Sequence, residues 1–122
     1  MLINLQAAWI GFFLGCVSGA IPGLLFHRTE WMGGYDSWRR RLVRLAHISF
    51  FGLGFLNALF YLSAKSLGIE DAGIASILLL LGAAAMPLVC YLSAWKMVFR
   101  HLFFIPAMSV TIGIALLIWA IL

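Results

Sequence analysis

Residues 45–64 read Leu-Ala-His-Ile-Ser-Phe-Phe-Gly-Leu-Gly-Phe-Leu-Asn-Ala-Leu-Phe-Tyr-Leu-Ser-Ala, with no Asp, Glu, Lys or Arg, and Arg39, Arg40, Arg41 and Arg44 stand just before them. At 1.5 Å per residue a helix of this length reaches about 30 Å, the thickness of a bilayer's hydrocarbon core. Polar and apolar residues do not alternate along it, so it is not a barrel strand. A helix is the remaining structure that satisfies its own backbone in lipid. The stretch is a membrane span with a basic collar.

Three more uncharged runs flank it, at 5–26, 72–95 and 102–122, joined by connections at 27–44, 65–71 and 96–101. The expected fold is all-α: one domain over residues 1–122, a polytopic membrane protein with four transmembrane helices in an up-down bundle. Composition agrees. Only 10% of the residues are charged and the mean hydropathy is +1.09, whereas a soluble domain carries about 25% charged residues. Too few charges remain to cover a surface this size. A free-standing soluble enzyme, a nucleic-acid-binding domain and a disulfide scaffold are all excluded. Cys16 and Cys90 lie inside spans and no Cys-x-x-Cys occurs, so neither a disulfide framework nor a thiolate metal site is expected. Residues 1–26 carry no charge and so lack the basic start of a signal peptide. Phe13-Leu14-Gly15-Cys16 faintly resembles a lipoprotein cleavage box, but the segment reads as a retained span.

The net charge of +4 belongs to topology. Arg28, Arg39, Arg40, Arg41 and Arg44 in the first connection and Lys96 and Arg100 in the third stand against Lys65 alone in the second. By the positive-inside rule both termini face the periplasm or outside of a cell inner (plasma) membrane. So lopsided a count disfavours the dual-topology small multidrug transporters and fluoride channels of similar size.

Four groups of residues are candidates for more than spanning. Gly11, Gly15, Gly19 and Gly23 recur every fourth residue, a glycine-zipper strip on the first span. Such a strip lets backbones approach closely, either within the chain or against a partner or flat cofactor. Gly33-Gly34 should break the chain, after which Asp36 or Ser37 caps a helix from Ser37 through Ala64, about 42 Å long. Arg39, Arg40, Arg41 and Arg44 on its overshoot would contact lipid phosphates or an acidic partner, with Trp31, Tyr35 and Trp38 as interfacial anchors.

His27, His47 and His101 fall at one membrane boundary. His47 and His101, on two different spans, are the candidate haem ligands, against an ordinary interfacial role. His27 and Glu30 are too few ligands for a metal. In the second span His47, Gly54, Asn57 and Tyr61 share a helix face; Asn57 and Tyr61 form a polar strip that either fixes helix register or lines a path. Pro87 should kink the third span, and Pro106 sits in the first turn of the fourth.

The expected function is that of a small non-catalytic integral membrane subunit, one that packs in and stabilises a larger respiratory or photosynthetic electron-transport complex. It rests on subtraction: no span carries a carboxylate and no nucleophile–base set is visible. Its partners would be membrane lipids and other integral membrane subunits. The alternatives are an electron carrier binding haem b or quinone through His47 and His101, and a small oligomeric transporter.

Overall fold

The computed structural model describes all 122 residues. Four helices make up the chain: α1 (Leu2–Leu25), α2 (Trp38–Leu67), α3 (Gly73–Trp95) and α4 (Phe104–Ile121). Short 3-10 turns at Trp31–Gly33 and Met97–Phe103 sit in the first and third connections. Three boundaries differ from those expected by two residues or more, and one of them is the end of α2, at Leu67 rather than Ala64. Helix α1 starts at Leu2 rather than residue 5, because Asn4 is satisfied inside the fold. Helix α4 starts only at Phe104, the preceding turns being 3-10.

Helix α2 shows how its ends are set. Met32, Gly33 and Gly34 adopt left-handed φ values of 53°, 86° and 102°, turning the chain back on itself. The Ser37 hydroxyl then accepts from the Arg40 N–H at 3.2 Å, as the expected N-cap, and donates to Met32 O at 2.7 Å. At the other end Gly68 takes φ 65°, and the Ile69 N–H returns to Ala64 O at 2.9 Å. The 30 residues between make a helix of about 45 Å. Helix continues through Pro22 in α1 and Pro87 in α3.

Helices pack in chain order, α1 on α2, α2 on α3 and α3 on α4, with lighter contact between α1 and α3. No comparable contact joins α1 to α4, so the helices form an open serpentine rather than a closed bundle. Phe60, Ala72, Ala75 and Leu79 make its core, with Val110 and Ile114 of α4 against them. Small residues set the approach: Gly82 lies beneath Val110, and Gly113 beneath Leu79.

Two lateral grooves follow from the open arrangement. One, about 570 Å³, runs between α1 and α3 over α2. The other, about 470 Å³, runs between α2 and α4 on the remaining side. Only 24 residues are buried, and Trp9, Phe13, Leu24 and Trp119 all face outward. Such a surface would not remain free in water, but it suits lipid. The connections rich in Arg and Lys share one end, and the 68–72 turn shares the other with both termini.

Candidate functional site

Three polar clusters stand along the bundle, and α2 contributes to each; Ser109, bonded to Leu78 O, and Ser93, whose buried Oγ has no partner, lie outside them. Nearest the termini, Asn4 and Asn57 are both 0% exposed. The Asn4 amide donates to Asn57 Oδ1 at 2.7 Å and to Ser76 O at 3.3 Å, while the Ser76 hydroxyl donates to Asn4 Oδ1. The Asn57 amide donates to Leu53 O at 2.9 Å and Leu79 O at 3.2 Å. All four amide hydrogens are therefore used, and α1, α2 and α3 meet in one network. Asn57 is thus enclosed, and it fixes register. Tyr61, one turn on, is half-buried beside Lys65, whose Nζ lies 5.8 Å over its ring. Of the face expected to form a polar strip, Asn57 is enclosed by α1 and α3, while Tyr61 remains partly open.

The glycine strip lies against that same face. A Cβ on Gly11 would stand 3.2 Å from Phe50 O, and one on Gly15 would stand 2.6 Å from the Phe51 ring. One on Gly19 would overlap the His47 ring, whereas Gly23 has open space. Gly11, Gly15 and Gly19 therefore serve packing within the chain, and Gly23 stands apart from it.

The second cluster surrounds His47. Its Nδ1 lies 2.8 Å from Gly15 O, and a carbonyl only accepts, so Nδ1 carries the proton. Ser18 Oγ donates to the same carbonyl at 3.0 Å and stands 3.3 Å from Nδ1. Phe51 meets the ring edge-on at 5.4 Å. The imidazole is locked by α1, and Nε2 makes no hydrogen bond within the chain. A cavity of about 120 Å³ adjoins it, lined by Ser18, Gly19, Pro22, Phe26, Val43, Arg44 and His47. His101 lies apart from this cluster, exposed in the 3-10 turn that packs on α3, and His27 is exposed past the end of α1.

The third cluster is the basic collar, and its four arginines do different things. Arg40 is 1% exposed, which removes it from the surface that lipid or a partner would touch. Its Nε donates to Trp31 O at 2.6 Å and its Nη2 to Arg28 O. Its guanidinium carbon lies 5.5 Å over Trp31, 5.8 Å over Phe26 and 5.9 Å over Tyr35. No carboxylate pairs with it, and Nη1 is buried without a partner. Arg39 donates from Nε to Ala94 O at 3.2 Å, tying α2 to the last turn of α3. Arg41, exposed, donates to Asp36 O at 3.1 Å. Arg44, half-buried, makes no hydrogen bond in the chain; its guanidinium lies 5.5 Å over Tyr35.

Arg40 buried beneath the elbow and Asn4 as the partner of Asn57 were both missed by the sequence reading. The second had a signal: these are the chain's only two asparagines. The first had none in the sequence, since four clustered arginines look alike until a loop folds over one.

Four helices long and apolar enough to cross a membrane, packed up and down in sequence, define a multi-pass helical membrane protein. The sequence matches no protein-family model, and neither a curated protein nor a solved structure matches the chain.

Proposed function

We propose that the chain is a small non-catalytic subunit of a larger inner-membrane assembly that transfers electrons, with its termini outside and its basic end in the cytoplasm. The observation that carries this reading is the α1–α3 groove. Small residues, Gly11, Gly54, Ala83 and Ala84, line it among apolar side chains. In lipid, helices associate through close van der Waals packing at small residues, and a partner's transmembrane helix suits such a groove. The chain's own α4 does not fill it. The polar groups at Asn4, Asn57 and Ser76 are consumed in holding the helices together, which favours a scaffold over a transport path.

The test is purification in mild detergent with mass and visible spectrum recorded. Copies of the chain should carry larger membrane subunits. Ala84→Trp, which fills the groove, should release them, while Leu59→Trp, on an exposed part of α2 outside both grooves, should not. A Soret band on the isolated chain would favour the haem carrier instead, and a lone colourless oligomer the transporter.

A further inference from the structure

The cavity beside His47 is a built feature of the basic end, distinct from the apolar grooves. It extends from Phe26, just past the end of α1, to Ser18 two turns inside. Its polar walls are unequal in chemistry. Arg44 brings a permanent positive charge that no hydrogen bond or carboxylate in the chain occupies. With its proton on Nδ1 and bound to Gly15 O, a neutral His47 presents Nε2 as a lone-pair acceptor. One wall thus calls for an anion and the other for an N–H or O–H donor. The ring cannot swing away, because Gly19 and Phe51 enclose it. Arg40, one turn before Arg44, adds a second positive charge that no carboxylate neutralises.

We infer that this cavity holds the headgroup of a phospholipid whose phosphate is followed by a hydrogen-bond donor, such as phosphatidylglycerol or phosphatidylethanolamine. Arg44 takes the phosphate oxygens, and His47 Nε2 accepts from the glycerol hydroxyl or the ammonium. At about 120 Å³ the space suits a headgroup fragment and is small for a flat macrocycle. The inference concerns the isolated chain and does not depend on any partner subunit.

The experiment is native mass spectrometry of the purified full chain, released from nanodiscs of phosphatidylglycerol, phosphatidylethanolamine or phosphatidylcholine. The wild type should retain one phosphatidylglycerol or phosphatidylethanolamine per chain in preference to phosphatidylcholine, which lacks the donor. Arg44→Gln should retain about tenfold less of either, the loss of one charge-assisted hydrogen bond. Arg41→Gln, on the exposed side, should retain as much as wild type. His47→Phe should lose the discrimination against phosphatidylcholine. If that variant misfolds, as judged by gel filtration and far-ultraviolet circular dichroism, Arg44→Gln against Arg41→Gln decides alone. Equal retention of the three lipids by wild type, or equal losses in the Arg41 and Arg44 variants, would overturn the site. Orthophosphate displacing the lipid at comparable concentration would overturn a lipid headgroup as its occupant.

Discussion

Asn4 and Asn57 share a 2.7 Å hydrogen bond across 53 residues of sequence, and neither exposes any surface. An amide in lipid must find partners, and each of these supplies one of the three hydrogen bonds the other makes. Bonds of this type in membrane proteins average about 0.6 kcal/mol and reach about 1.7 kcal/mol. Asn57→Leu should therefore lower stability by about 1–2 kcal/mol in a denaturation assay in mixed micelles, and Asn4→Leu by a similar amount. The double variant should cost clearly less than the sum, because the two residues act as one network. Strict additivity would mean that the pair is not coupled.

The strip on α1 makes a graded prediction. Gly19→Ala places a methyl against the enclosed His47 ring and should cost about 1–3 kcal/mol by overpacking. Gly15→Ala, against Phe51, belongs to the same class. Gly23→Ala meets nothing and should be neutral or slightly stabilising, since alanine is the better helix former. Thermal denaturation in one detergent compares the three. Equal losses at positions 19 and 23 would contradict the packing described.

Arg40 and Arg41 are neighbours with opposite fates. Arg40→Gln removes a guanidinium bonded to Arg28 O and Trp31 O, and the elbow should loosen. Tryptic cleavage after Arg28 should quicken about tenfold, equivalent to about 1.4 kcal/mol of local opening. Arg41→Gln should leave the rate near that of wild type. An unchanged rate in Arg40→Gln would show that the aromatic rings hold the elbow without the charge.

Orientation is tested with single cysteines in a chain whose Cys16 and Cys90 are replaced by serine. Thr29→Cys in the first connection and Ser66→Cys in the last turn of α2 are exposed positions at opposite ends. An impermeant thiol reagent added outside intact cells should label the second and spare the first. The reverse pattern would invert the proposed topology.

Span number and type were legible because charge and length alone decide them: each apolar run is long enough to cross and each charged cluster is a connection. The Ser37 cap and the Gly33-Gly34 break were legible because they rest on local backbone chemistry. Asn4 was not, since counting apolar residues starts the first span after it, and only the fold shows that Asn57 reaches there. The separate roles of the four arginines were equally hidden. Their spacing shows that they point in different directions, but which direction holds α1, α3 or the elbow depends on packing. Nor does periodicity reveal that the array stays open, because helix faces with small residues suit neighbours in the same chain and in another.

The three-way amide junction also bears on the order of insertion. A hairpin of α1 and α2 that enters the bilayer before α3 would already hold the Asn4–Asn57 bond and, within α2, the bond from Asn57 to Leu53 O. It would still lack Ser76 and Leu79 O, leaving one hydrogen of each amide facing hydrocarbon. That nascent hairpin is therefore adhesive: it holds two polar hydrogens that the Ser76 and Leu79 carbonyls of α3 are placed to accept. Helix α4, joined to α3 through Ser109 and Leu78 O, has no part in this junction and can dock last.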